Sequence, residues 1–139
     1  MIKRYRKIAD IPFENYADSI HGIALDVDGV MVPNNKSTYV PKFVSETFYR
    51  LDMLGIPYVA LSNCSHERAL ILNRILPMKV IRAKWKKPLP SAYSQAAEAM
   101  QIDRRQMLAV DDKIRNVLIP KLYGITTAWV HDLKKLVHL

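Results

Sequence analysis

Gly22-Ile23-Ala24-Leu25-Asp26-Val27-Asp28-Gly29-Val30 is an apolar run that ends in two carboxylates on either side of one valine. Ile23, Ala24 and Leu25 are apolar in succession rather than alternating with polar residues, the pattern of a strand covered on both faces. The acids that follow need a different explanation. Held about 4 Å apart, two carboxylates repel by roughly 4 kcal/mol at an effective dielectric near 20, so a cation between them is expected. Magnesium fits, being a hard ion that takes carboxylates, waters and substrate phosphates. Gly29 lets the backbone turn away and pass close to a ligand.

The same ending recurs downstream. Ile56 to Leu61 reads as a second buried strand that stops at Ser62-Asn63-Cys64-Ser65, small polar groups opening a helix and suited to an anion. Met78 to Ala83 is a short third strand, followed by the proline-stiffened loop Trp85-Lys86-Lys87-Pro88-Leu89-Pro90. Met107 to Val110 is a fourth apolar run and gives out into Asp111-Asp112, and Ile125 to Val130 supplies a fifth. Between them lie helical patterns: Val44, Phe48, Leu51 and Leu54 behind Pro41 and before Gly55; Leu70, Leu72, Ile75 and Leu76 before Pro77; Ser91 onward with Ala92, Ala96, Ala97 and Met100; and Lys113 to Tyr123, closed by Gly124. Residues 30–39, apolar around Asn34-Asn35, suggest a short hairpin or flap over the site, and a short amphipathic turn is expected after Val130. Alternating strand and helix predict an α/β fold: a three-layer, Rossmann-like parallel sheet of about five strands with helices on both faces.

Residues after parallel strands gather in one crevice at the carboxyl edge of such a sheet. Asp26, Asp28, Ser62, Lys87, Asp111 and Asp112 therefore belong to one candidate site. It holds a carboxylate nucleophile, a second carboxyl to act as acid or base, a hydroxyl, a cation and metal ligands, the parts of a phosphoryl-transfer centre. Taken singly, Asp111 reads more simply as a helix cap, Cys64 as a small buried thiol and His66 as a solvated first-turn residue; His21, His131 and His138 lack ligand spacing.

With 139 residues the chain fits one domain, divided here into a basic N-terminal extension over 1–20 and a single domain over 21–139. Lys3, Arg4, Arg6 and Lys7 beside Tyr5, Phe13 and Tyr16 read as a solvated leader whose aromatics pack on the domain edge. The single Cys64 excludes an internal disulfide, and neither a signal peptide nor a transmembrane run is read, so a cytoplasmic protein is expected. A net charge of +8 and a pI near 9.7 favour polyanionic partners without choosing among nucleic acid, phosphorylated metabolites and anionic lipid.

These motifs resemble those of haloacid dehalogenase superfamily phosphatases of the minimal, uncapped type, from about Ile20 to Val130. The Asp-x-Asp-Gly signature matches Asp26-Val27-Asp28-Gly29, the Ser or Thr after the second strand matches Ser62, the Lys-Pro loop matches Lys87-Pro88, and the terminal acidic motif matches Asp111-Asp112. The resemblance implies that Asp26 attacks phosphorus to form an aspartyl-phosphate while Asp28 protonates the leaving oxygen and then deprotonates water. It implies that Ser62, Asn63 and Lys87 bind phosphate, and that Asp26, Asp112, Asp111 and the Asp28 main-chain carbonyl surround magnesium. Val30 stands where many relatives have Thr, and Asn116 stands where relatives commonly place a further acid; Asn116 is kept as a candidate support for metal-bound water or Lys87.

The spans between the motifs have no room for a cap domain. Uncapped relatives either close the pocket with a neighbouring copy in a homo-oligomer or act on substrates too large to enclose. The segment from Ala109 to Val130 is similar to that of polynucleotide kinase-phosphatase modules, whereas the Lys-Pro loop with Tyr93 and Ala97 resembles small-molecule members and the minimal phosphatidylglycerophosphate phosphatase type. A nucleic-acid or nucleotide phosphate is slightly preferred. Small sugar phosphates, a phosphatidylglycerophosphate-type lipid, and a non-catalytic polyanion-binding module on a degenerate fold are the alternatives.

Overall fold

The computed structural model describes residues 3–133. Six parallel strands form one sheet: β1 (Arg4–Tyr5), β2 (Gly22–Leu25), β3 (Tyr58–Ser62), β4 (Val80–Arg82), β5 (Met107–Asp111) and β6 (Thr126–Val130). Their order is β1-β6-β5-β2-β3-β4. The chain leaves β2 for β3 on one side and reaches β5 on the other, so β2 sits at the point where the winding reverses. Helices α1 (Lys42–Leu54), α2 (His66–Ile75), α3 (Pro90–Ala99) and α4 (Arg115–Lys121) make the crossovers.

Alternation along each strand divides the interior into two cores. Ile23, Leu25, Leu108 and Val110 face Val44, Phe48 and Leu51 of α1 and Leu72 of α2. Ala24, Ala109 and Met107 face the opposite way, where Ala92, Ala96 and Ala97 of α3 pack. Small side chains on both partners let α3 approach the sheet closely, which explains its alanine-rich inner face. Helix α1 stops at Gly55, whose φ of 69° is the left-handed cap that glycine favours.

Four expectations are corrected. The sheet has six strands because the basic leader contributes one: Arg4 and Tyr5 pair with Trp129 and Val130 at the edge. Beyond it, Ile11 and Phe13 are 0 % exposed and belong to the first core, so these residues are not a solvated arm. Arg50 on α1 clamps the segment, donating to the carbonyls of Ala9 and Ile11, pairing with Glu14 at 3.0 Å and stacking over Phe13.

Residues 30–39 do not form a hairpin. The amides of Val30, Met31 and Val32 all donate to the Val27 carbonyl, and their side chains are buried, so core packing takes residues that a ladder would have needed. The Asn34 turn does form, its Oδ1 accepting the Lys36 amide at 2.9 Å. On α2 the buried residues are Arg68, Ala69 and Leu72, whereas Leu70 faces solvent. The amphipathic turn expected after Val130 falls largely on residues 134–139, outside the described residues.

Burial of the leader predicts a large stability cost on truncation. Phe13→Ala should lose about 3–5 kcal/mol in urea unfolding, against about 0.5 kcal/mol or less for a residue on a solvated arm.

Candidate active site

Four strand ends supply the site. Asp26 follows β2 at the reversal point, Ser62 ends β3, Lys87 arrives on the loop after β4, and Asp111 ends β5. The Lys87 ammonium joins them. Its Nζ donates to Asp26 Oδ1 at 2.8 Å, to Asp111 Oδ2 at 3.0 Å and to the Leu61 carbonyl at 2.9 Å. All three protons are thereby used inside the protein. Burial alone would lower the Lys87 pKa, but Asp26 and Asp111 outweigh it and hold the ammonium above its usual range.

Asp111 is equally occupied. Oδ1 accepts the Lys113 amide at 3.0 Å and Oδ2 accepts Lys87 and, at 3.2 Å, Asn116 Nδ2. Asp112 is not: its buried Oδ1 has no hydrogen-bond partner among the described residues. The Asp112 main chain is held by Trp129, whose indole N–H donates to its carbonyl at 3.1 Å. Gly29 passes against this carboxylate so closely that a Cβ there would stand 2.4 Å from Asp112 Oδ2, and its φ of 89° also disfavours any other residue.

Oxygen atoms of Asp26, Asp111 and Asp112 all lie within 4.8 Å of one another. Burial, then Asp111, drives the Asp26 pKa well above the ordinary carboxylate value; burial also raises Asp112, partly offset by the neighbouring Asp26 carboxyl. Crowded, desolvated carboxylates with one orphaned oxygen fit a hard divalent cation such as magnesium. Asp26 and Asp112 have oxygens to give it, whereas those of Asp111 are already engaged. The Asp28 carboxylate lies outside this cluster, pairing instead with Arg68 Nη2 at 3.3 Å.

A cavity of 330 Å³ opens over these groups, lined by Asp26, Asp28, Ser62, Asn63, Lys87 and Asn116, with Asn35, Cys64, Ser65, Arg68 and Lys113 completing the wall. Every expected site residue except Asp111 and Asp112 therefore lines one cavity, and those two lie beneath it against Lys87 and Asp26. Ser62 Oγ accepts the Cys64 amide at 3.2 Å and keeps its own proton to donate. Asn63 is committed elsewhere: Oδ1 accepts the Lys87 amide at 2.8 Å and Nδ2 donates to the Lys87 carbonyl at 3.3 Å, fixing the lysine loop, whose Lys87–Pro88 peptide is cis. Arg68 was not singled out from sequence. Its signal was a cation on the apolar face of α2, beside Ala69 and one turn before Leu72.

Two measurements probe this arrangement. Lys87→Met should cost about 3–5 kcal/mol in denaturant unfolding, because it leaves the buried carboxyl oxygens of Asp26 and Asp111 without the ammonium that solvates them. In the metal-free protein the native state keeps protons on Asp26 and Asp112 that the unfolded chain has released, so these groups make stability fall as pH rises from 3.8 through their raised values. Magnesium should therefore raise Tm more at about pH 7.5 than at about pH 5, and equal shifts would show that these carboxylates do not hold it.

No family model matches the chain, and no curated protein matches it in sequence. Solved structures do. An uncharacterised protein from Corynebacterium glutamicum is 23% identical with a TM-score of 0.64, over 84% of this chain and 88% of that one. A haloacid dehalogenase family enzyme from Bacteroides thetaiotaomicron, in complex with magnesium and inorganic phosphate, is 14% identical with a TM-score of 0.58, over 81% and 95%. An L-2-haloacid dehalogenase is 15% identical with a TM-score of 0.60, over 85% and 97%. The six-stranded parallel sheet and these likenesses give the chain the fold of the haloacid dehalogenase superfamily, and among the described residues no cap domain interrupts it.

Proposed function

We propose that the protein is a magnesium-dependent phosphomonoester hydrolase working through an aspartyl-phosphate. The observation that carries this reading is the placement of Asp26: at the winding reversal, facing the cavity, with Oδ1 held by Lys87 and Asp112 beside it. Oδ1 is fixed by the lysine, which leaves Oδ2 to attack. A bond forms from Asp26 to phosphorus as the bond from phosphorus to the leaving oxygen breaks, and that oxygen takes a proton from the Asp28 carboxyl. Asp28, now a carboxylate, accepts a proton from water as the water attacks phosphorus. The Asp26–phosphorus bond breaks, and inorganic phosphate and the free carboxylate are regenerated.

Ser62 donates its unspent hydroxyl proton to the phosphoryl group. Lys87 acts one step back, keeping Asp26 and Asp111 in place and offsetting their charge. Magnesium, bound by Asp26 and Asp112 with the Asp28 carbonyl, would supply charge stabilisation at the phosphoryl oxygens. Asn116 supports the site through Asp111 and leaves a buried Oδ1 to orient water. The Bacteroides enzyme, with magnesium and phosphate in the same fold, supports this reading. Halide displacement is the weaker alternative: a halide leaves without a proton, so the acid role of Asp28 would go unused, and a cluster of further acids would repel a carboxylate substrate.

Among the described residues no cap stands over the cavity, and the chain is strongly basic, which supports a phosphate carried on a large polyanion, a nucleic acid or nucleotide first. Among the described residues no helix is long and apolar enough to cross a membrane. Asp26→Asn should abolish magnesium-dependent release of phosphate from p-nitrophenyl phosphate; if wild type and variant are equally inert over a range of metals and pH, the fold serves binding rather than catalysis. Turnover of a DNA 3′-phosphate should fall steeply with salt, by about 10-fold or more between 50 and 200 mM. Equal, salt-insensitive turnover of small sugar phosphates or a lipid phosphomonoester would move the substrate class there.

A further inference from the structure

Arg68 is the one charged residue that α2 buries, and nothing in the reaction above uses it. Its side chain is 8% exposed while that of its partner Asp28 is 27% exposed, so the cation is the interior member of the pair. One nitrogen makes all of its hydrogen bonds. Nη2 donates to the Ser37 carbonyl at 2.6 Å, the Asn34 carbonyl at 3.2 Å and Asp28 Oδ1 at 3.3 Å. A guanidinium nitrogen has two protons, so the longer pair of contacts shares one of them. The backbone of α2 fixes the origin of the side chain, because Ser65 caps the helix on the Arg68 amide at 3.1 Å. Arg68 and Asp28 both line the 330 Å³ cavity.

A solvated arginine meets water without cost, and burying one is unfavourable unless its partners are worth more. Here the partners are two main-chain oxygens of the turn that follows Asp28 and one oxygen of Asp28 itself. Asp28 Oδ1 is tethered, and Oδ2 makes no hydrogen bond among the described residues. The tether thus holds one oxygen and leaves the other without a partner among the described residues.

We propose that Arg68 is a positioning residue for Asp28: it holds Oδ1 against the turn at Asn34 to Ser37 and so presents Oδ2 to the leaving oxygen of the phosphomonoester. This inference rests on the hydrolase reading for its chemical consequence but not for the tether. Proton delivery matters most where the leaving oxygen is strongly basic, so loss of positioning has a signature that loss of phosphate binding lacks. A donor that bound phosphate would weaken all substrates alike.

The test compares wild type, Arg68→Lys and Arg68→Gln on p-nitrophenyl phosphate, phenyl phosphate and an alkyl phosphate, with magnesium present. For Arg68→Gln, kcat/KM, which reports the step that expels the leaving oxygen and not the later attack of water, should stay within about 3-fold of wild type on p-nitrophenyl phosphate and drop about 100-fold on the alkyl phosphate, with Arg68→Lys recovering part of the loss. A uniform drop in kcat/KM across the series overturns the proposal. A second measurement needs no activity. In urea unfolding of the metal-free protein, the cycle of Arg68→Gln, Asp28→Asn and the double variant should show coupling of about 5-fold or more in the unfolding equilibrium constant. Additive effects would show that the tether does not exist, whether or not the protein is a hydrolase. Coupling without phosphate release from any substrate would leave the tether and remove the enzyme.

Discussion

One buried ammonium organises this molecule. Lys87 Nζ reaches the ends of three neighbouring strands at once, through Asp26 after β2, the Leu61 carbonyl in β3 and Asp111 in β5. With the lysine side chain 4% exposed, water contributes little to its solvation, and the three oxygens must do that work. Their positions are consequently fixed to one another across the carboxyl edge of the sheet. Asn63 secures the other end of the device by bonding both the amide and carbonyl of Lys87. The residue that looks from its type like a phosphate ligand spends all three of its protons as a cross-brace between strand ends.

Asp112 is positioned from the opposite side of the sheet, and the N-terminal edge takes part. Trp129 in β6 fixes the Asp112 carbonyl, Arg4 in β1 stacks over the Trp129 ring at 4.3 Å, and Gly29 closes on the carboxylate. The Leu133 amide donates to the Gly29 carbonyl at 2.8 Å, tying the end of the described chain to the same turn. The basic leader is thus not an appendage awaiting a ligand: it packs Phe13 under α1 and supports the tryptophan that holds a candidate metal ligand.

What could be read in the sequence follows from what a single residue type can signal. Buried parallel strands announce themselves as apolar runs, so β2, β3, β5 and β6, and the acids at the ends of β2 and β5, were legible. Strand β1 was not, because two residues with an arginine carry no periodicity and exist as a strand only through β6. The stretch 30–32 misled because its valines and methionine suit a strand as well as a core turn, and only the shared Val27 acceptor distinguishes them. Arg68 escaped for a related reason. Helical periodicity is counted on apolar residues, and a buried cation on that face looks like an interruption until its partners, 31 to 40 positions away, are in place.

Charge balance gives Asn116 a meaning beyond a missing acid. Asp26, Asp28, Asp111 and Asp112 outnumber the cations around them, Lys87, Arg68 and Lys113, and a divalent cation would offset that excess of acid if every carboxylate were ionised. Another carboxylate at 116 would add to the acid already gathered there. It would also stand against Asp111 Oδ2, which now accepts the Asn116 amide at 3.2 Å. Two carboxylates at that separation repel, and Asp111 is shielded on that oxygen by Lys87 alone. The amide instead donates to Asp111 with one end and keeps Oδ1 as a neutral acceptor. Asn116 therefore belongs to the same bonded set as Lys87 and Asp111, which makes the paired aspartates Asp111-Asp112 divide their labour: the first is a counter-ion inside the protein and the second is the acid with an oxygen to spare.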